Sequence, residues 1–287
     1  MSAHLTYRVM AYRIRMLVRD WQGEQPTVVF LHHITANGIE ALRLARLLNG
    51  RRRLIAPDLR GRGGSDMPFG EYGMAIHLLE LAATLDRLNI SQCTLVGHSF
   101  GAMLGVFFAA QHPERVSSLV LIDGGAPPNP EELQRLNAYY DSMPYRYPSL
   151  DAYIDRYKNQ PLYQPYTEEL DLLLRSNLRK QADGSYIRQM ARYVLDAERS
   201  PAAVAQWQQL PDCYAQVRCP VLIVRAGMGI FSADDPVLTE EALALMQAGM
   251  PQAELLNVPE AGHTTIVTMP HAARDAAILR FLGVESV

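Results

Sequence analysis

The segment Gly97-His98-Ser99-Phe100-Gly101 constrains this chain most, because it sets a serine between two glycines where a strand runs straight into a helix. Upstream, Cys93-Thr94-Leu95-Val96 reads as a short buried strand, and downstream the apolar run over residues 102–110 reads as a buried helix. Glycine at the second position on either side of the serine removes the β-carbons that would crowd a tight turn. Such a turn lifts the hydroxyl clear of the sheet edge and aims the first turn of the helix at it. Unpaired N–H groups and a partial positive charge at that helix end suit a developing oxyanion. In this setting the pentapeptide reads as a nucleophile elbow, whereas the same residues within a loop would be only a turn.

The rest of the chain supplies the sheet that such an elbow needs. Val28-Val29-Phe30-Leu31 reads as a strand ending in His32-His33, and Leu54-Ile55-Ala56-Pro57 as a second. Residues 75–88 place Ile76, Leu79, Ala83 and Leu88 at helical spacing. The helix after Ser99 runs to about residue 111, where His112-Pro113-Glu114-Arg115 breaks it. A strand over 116–122 ends at Asp123-Gly124-Gly125, and Val221-Leu222-Ile223-Val224 forms another after Cys219-Pro220. A helix over about 239–247, a strand over 254–258, the loop Pro259-Glu260-Ala261-Gly262-His263 and a helix over 272–282 complete the pattern. Short apolar strands alternating with helices predict an α/β fold with a mostly parallel sheet covered on both faces. Ligand sites in such sheets lie beyond the carboxyl ends of the strands. His32, Ser99, Asp123 and His263 all fall at or just after strand ends, which predicts that they share one edge.

Residues 126–214 interrupt this alternation. They open with the linker-like Ala126-Pro127-Pro128-Asn129-Pro130 and contain eleven of the fourteen tyrosines. The expected organisation is a core domain of residues 1–125 and 215–287 with a helical cap, residues 126–214, over the strand-end edge. Tyrosines in a pocket roof would make it apolar with a few polar contacts. The segment offers no evident cluster of cations, so small apolar acyl groups are expected to be preferred over charged ones.

Bulk properties exclude several classes. A net charge of −3 gives no reason to expect nucleic acid as a partner, and Arg51-Arg52-Arg53 reads as a solvated loop rather than a phosphate site. Cys93, Cys213 and Cys219 have neither metal-ligand spacing nor an even-numbered disulfide framework, which fits a reducing compartment. Met1-Ser2-Ala3-His4-Leu5-Thr6-Tyr7-Arg8 does not resemble a secretory leader, and no segment approaches the ~20 apolar residues of a membrane span. The expectation is a cytoplasmic protein with no membrane partner.

A serine hydroxyl needs a base. Of eight histidines, His4 is terminal, His77 and His271 lie in or near helices, and His112 belongs to a helix-breaking loop. His98 adjoins the nucleophile, which turns its side chain away from the reacting face. His263, late in the chain and just after the last strand, is the expected base.

With these elements in place the chain resembles the α/β-hydrolase family over nearly its whole length. The resemblance rests on Leu31-His32, the Pro57-to-Asp66 stretch PDLRGRGGSD, Gly97-to-Gly101, Leu121-Ile122-Asp123 and Ala261-Gly262-His263. The family runs its triad in the order nucleophile, acid, histidine. Its members commonly place the acid after the strand corresponding to 221–224, where this chain offers no carboxylate before Asp234 and Asp235. Other members place it after the strand that follows the nucleophile helix, a position filled here by Asp123. Asp123 is the preferred acid and Asp234 the alternative. The resemblance also implies an oxyanion hole from the N–H groups of Phe100 and Ile34. Where relatives usually carry His-Gly, this chain carries His32-His33, and a loop needing φ > 0 would accept His33 less easily than glycine.

The function implied is a serine hydrolase that cleaves a small-molecule carboxylic ester through an acyl-enzyme, with no metal or organic cofactor. Serine at position 99 argues against haloalkane dehalogenases and epoxide hydrolases of this fold, whose nucleophile is an aspartate. Lactones, thioesters, carbon–carbon bonds and perhydrolysis stay open as alternatives, because fold and triad do not fix the substrate. The alternative from another class is a ligand receptor that keeps the fold with little or no turnover, and His33 is the feature that points to it.

Overall fold

The computed structural model describes residues 4–284; Met1, Ser2 and Ala3, part of the stretch examined above for a leader, lie outside them. The chain opens with the strands β1 (Leu5–Ala11) and β2 (Ile14–Trp21), followed by β3 (Val28–Leu31), α1 (Leu42–Leu48), β4 (Leu54–Pro57) and α2 (Met74–Arg87). Next come β5 (Cys93–His98), α3 (Phe100–Gln111) and β6 (Val116–Ile122). The intervening segment holds α4 (Pro130–Ser142), β7 (Arg146–Tyr147), α5 (Leu150–Lys158), α6 (Glu168–Ser176), β8 (Leu178–Lys180), β9 (Tyr186–Arg188), α7 (Arg192–Glu198), α8 (Pro201–Trp207) and α9 (Leu210–Tyr214). The chain then adds β10 (Val221–Ala226), α10 (Glu240–Gly249), β11 (Ala253–Val258), α11 (Thr265–Thr268) and α12 (Ala272–Phe281).

Eight strands form one sheet in the order β1-β2-β4-β3-β5-β6-β10-β11. β2 pairs antiparallel with β1 and β4, and every other pairing in this sheet is parallel. The apolar strands are continuous rather than alternating because both faces are covered. Val29, Leu31, Leu95, Leu119, Leu121 and Ile223 pack on one side with α2, α3 and α9. Val28, Phe30, Val96, Val120, Ile122 and Val224 pack on the other with α1, α11 and α12. Helix α3, directly after Ser99, is buried from Phe100 to Ala110 and has no polar face to turn to water.

Two features depart from the sequence reading. The β1–β2 hairpin was not anticipated, although Ile14, Met16 and Val18 alternate inward along β2. The segment between β6 and β10 is not purely helical, since β7, β9 and β8 form a small antiparallel sheet. Strands of two and three residues are too short to leave a period in the sequence. The expected linker at its start is also the cap of α4, where Asn129 and Glu132 form a reciprocal capping box ahead of Pro130. Arg51-Arg52-Arg53 does lie in a loop, but its side chains are engaged. Arg51 bonds the α1 carbonyls of Leu47 and Leu48, Arg52 bonds Gly283 O, and Arg53 pairs with Asp20.

The segment is tied to the core through buried charge. Arg62 Nη1 and His77 Nε2 lie 2.7 and 2.6 Å from Glu198 Oε1 at the end of α7. Burial would raise the Glu198 pKa, but His77 and Arg62 outweigh it and hold the carboxyl at about 2. Among the described residues, no helix is long and apolar enough to cross a membrane.

Candidate active site

Ser99 occupies the junction of β5 and α3 with φ 56° and ψ −114°, a conformation rare for a non-glycine residue. The turn is as tight as its glycines imply. A β-carbon on Gly101 would sit 2.0 Å from Leu31 O, and one on Gly97 would sit 2.3 Å from Gly101 O. The serine is held by its backbone: its N–H donates to Ile122 O at 3.0 Å, and its carbonyl accepts from Ala102 and Met103.

The structure brings His263 and Asp123 together. His263 Nδ1 lies 2.6 Å from Asp123 Oδ2, while Asp123 Oδ1 accepts from Ala226 N at 3.1 Å. Asp123 is fully buried at the end of β6 and, like Ser99, takes a positive φ, here 44°. Of the two later carboxylates, Asp234 is exposed and Asp235 accepts from Arg135 at 3.0 Å; neither contacts His263.

Phe100 and Ile34 both line the cavity at Ser99. Among the described residues neither N–H has a protein acceptor. The loop carrying Ile34 is pinned from several directions. Arg62 Nε donates to Ile34 O at 2.9 Å, and Ala36 N donates to His33 O at 3.1 Å. His32 is fully buried, donates from Nδ1 to His33 O at 2.7 Å, and accepts from Leu59 N at Nε2 at 3.0 Å. Burial holds its pKa well below the ordinary range, so the ring stays neutral as this pattern requires. His33 does not have positive φ, so histidine in place of glycine does not strain the loop. Its side chain faces the cavity rather than solvent.

A buried group that sequence reasoning missed sits behind His263. His98 Nε2 lies 2.9 Å from the carbonyl oxygen of His263, which can only accept, so Nε2 carries the proton. Burial, with His263 adding to it, pushes His98 down to about 3, which leaves the ring neutral and Nδ1 an acceptor. A neutral Glu40 carboxyl would complete the contact, since its Oε1 lies 2.9 Å from that Nδ1. Burial raises its pKa, in agreement. Its second oxygen accepts from His33 N at 2.9 Å. Burial likewise pushes His33 down to about 4. Glu40 thus fixes both the loop of Ile34 and, through His98, the loop of His263. Glu40 and His98 lie 58 residues apart, so no local sequence pattern could have announced the pair.

Two cavities of about 100 and 60 Å³ share Ser99, Ile34, Tyr140 and Ile230 in their walls. The larger is lined by apolar side chains that include Met103, Leu136, Trp207 and Phe231, and its two arginines are engaged. Arg135 pairs with Asp235, and Arg199 bonds Asn137, Asp141 and Asp196. The smaller runs past His33 and His263 into a group of tyrosines with Asn177 and Arg188. The sequence of residues 126–214 offers no evident cluster of cations, yet the fold brings some of its arginines to the site. The segment's arginines are scattered in sequence, and folding gathers three of them on the cavity walls. Among the described residues, no three His, Cys, Asp or Glu side chains are grouped to hold a metal ion.

Fold and site together define a hydrolase scaffold, and the comparisons agree. The family described as alpha/beta hydrolase fold matches residues 26–270, and this chain belongs to it. A 2-(acetamidomethylene)succinate hydrolase from Mesorhizobium japonicum is 30% identical over 90% of this chain and 88% of its own length. A 3-hydroxybutyrate-oligomer hydrolase from Cupriavidus necator is 25% identical over 89% of each chain. The crystal structure of E-2-(acetamidomethylene)succinate hydrolase superposes with a TM-score of 0.82 at 28% identity, covering 98% of this chain and 100% of the other.

Proposed function

We propose that this protein is a serine hydrolase that cleaves carboxylic esters through an acyl-enzyme intermediate, with Ser99, His263 and Asp123 as its triad. The observation that carries the reading is the strained turn at Ser99, opening on a cavity that His263 also lines while Asp123 holds the far nitrogen of the imidazole. Ser99 attacks the carbonyl as His263 Nε2 takes its proton, and His263 then gives that proton to the leaving alcohol. Asp123 keeps the proton on Nδ1 and stabilises the imidazolium. The N–H groups of Ile34 and Phe100 receive the negative charge of the tetrahedral intermediate. Water, activated by the same imidazole, then releases the acid. Residues 126–214 serve as the lid, since they supply most of the walls that enclose Ser99.

The receptor reading rested on His33, and the unstrained backbone there removes that support. The deciding experiment combines stoichiometric labelling by a fluorophosphonate with pre-steady-state kinetics on activated esters of graded acyl length. Labelling at Ser99 with a burst followed by steady turnover is expected. A chain that acylates and then releases on the scale of hours would be a receptor, and one that never acylates would not be a serine hydrolase.

A further inference from the structure

Among the described residues, the buried arginines each meet a carboxylate: Arg60 pairs with Glu80, Arg62 with Glu198 and Arg274 with Asp275. Arg188, half-buried at the end of β9, meets none. It lines the smaller cavity together with Ser99 and His263, and no carboxylate of the described residues lies within ion-pair distance of it. Its guanidinium is oriented by neutral groups instead. Nε donates to Pro144 O at 3.1 Å, and Nη2 donates to the hydroxyls of Tyr147 and Tyr157 at 3.1 and 3.4 Å. The rings of Tyr153 and Tyr147 pack 5.5 and 5.8 Å from its centre.

Among the described residues, Nη1 is left with no protein acceptor. An arginine cannot shed its charge to escape a poor environment. A cation fixed by phenols, partly withdrawn from water and given no counter-ion, is a site short of one anion. Asn177 adds a second polar group to the same wall. Its Oδ1 accepts from Asn37 at 3.1 Å, and among the described residues its amide nitrogen has no protein partner.

We infer that Arg188 binds a carboxylate carried by the substrate away from the bond that Ser99 attacks, so that the enzyme selects acidic acyl compounds. Carboxylate is the fitting chemistry because a planar anion matches the guanidinium fork, and one cation neutralises it. Tyr157, which accepts from Nη2, keeps its own hydrogen to donate. The inference rests on the serine hydrolase reading and replaces the apolar acyl preference expected from sequence. It divides the site into a larger apolar branch and a smaller branch that ends on charge.

The test is protection of Ser99 from a fluorophosphonate by the unbranched dicarboxylates from malonate to adipate, with the monoamides of the same acids as controls. Each variant's labelling rate with ligand is divided by its own rate without, and thermal unfolding is recorded for all. The expected result is that at least one dicarboxylate protects the wild type while its monoamide does so far less. Arg188→Gln should raise the half-protecting concentration roughly 10- to 100-fold, and Arg188→Lys should lie between. Should Arg188→Gln fail to fold, the comparison of Arg188→Lys with wild type decides. Labelling that no dicarboxylate slows, or protection equal in wild type and variants, overturns the carboxylate site and leaves the nucleophile standing. A Ser99 that the reagent does not modify overturns the hydrolase reading, and the carboxylate site with it.

Discussion

His263 Nδ1 and Asp123 Oδ2 lie 2.6 Å apart although 140 residues separate them in the chain. The contact exists because β6, β10 and β11 are consecutive in the sheet and His263 follows β11. Asp123 leaves the end of β6 and spends its other oxygen on the N–H of Ala226 at the end of β10. A carboxylate so fixed can hold the imidazole in one tautomer and one orientation.

Asp123→Asn is therefore expected to lower turnover by ~10⁴, because the amide favours the wrong tautomer and cannot stabilise the imidazolium. Asp234→Asn, at an exposed loop position, should stay within about tenfold of wild type. Steady-state kinetics on one activated ester rank the two, and the opposite order would move the acid to the later loop.

Ser99→Ala should lose ~10⁴–10⁶ in turnover with the fold retained. Circular dichroism together with fluorophosphonate labelling separates loss of the nucleophile from loss of structure. Near-normal activity in a folded variant would remove Ser99 from the mechanism.

Glu40 offers a sharper test of a protonation state. A neutral Glu40 would donate to His98 and accept from His33 N, and a glutamine amide can do both. Glu40→Gln should cost no more than about 1 kcal/mol in denaturant unfolding, whereas Glu40→Ala, which orphans both partners and opens a void, should cost about 2–4 kcal/mol. A glutamine variant as damaged as the alanine variant would mean that Glu40 is ionised.

Acid should act partly through Glu198. Its carboxyl is held at about 2 in the folded chain, below the ordinary 4.5, so its contribution is complete above that ordinary value and disappears as pH falls toward 2. Glu198→Gln should be less stable at pH 7, by about 3 kcal/mol, because Arg62 loses its counter-ion. The gap to wild type should narrow below pH 4. Urea midpoints from pH 7 to 3 would reveal a constant gap if the ion pair contributed nothing.

What could be read from the sequence was what is local. Ser99 carries its strand, its glycines and its helix within twenty residues, and His263 follows the last strand directly. Two positions stayed open for the carboxylate that meets His263, because placing Asp123 there requires the sheet order β6-β10-β11. Neither the Glu40–His98 pair nor the isolation of Arg188 gave a signal. The pair meets only through folding, and Arg188 is one arginine on a three-residue strand whose isolation from carboxylates emerges when the whole wall is assembled.

The positive φ values at Ser99 and Asp123 make the reactive edge a liability for the fold that carries it. Each such backbone costs on the order of 1–3 kcal/mol, and it occurs at the ends of two adjacent strands. Glycine at position 99 would relieve the strain and remove the hydroxyl that the proposed mechanism uses. On the proposed mechanism, the strain at Ser99 is stability given up to hold a hydroxyl where a substrate carbonyl can meet it.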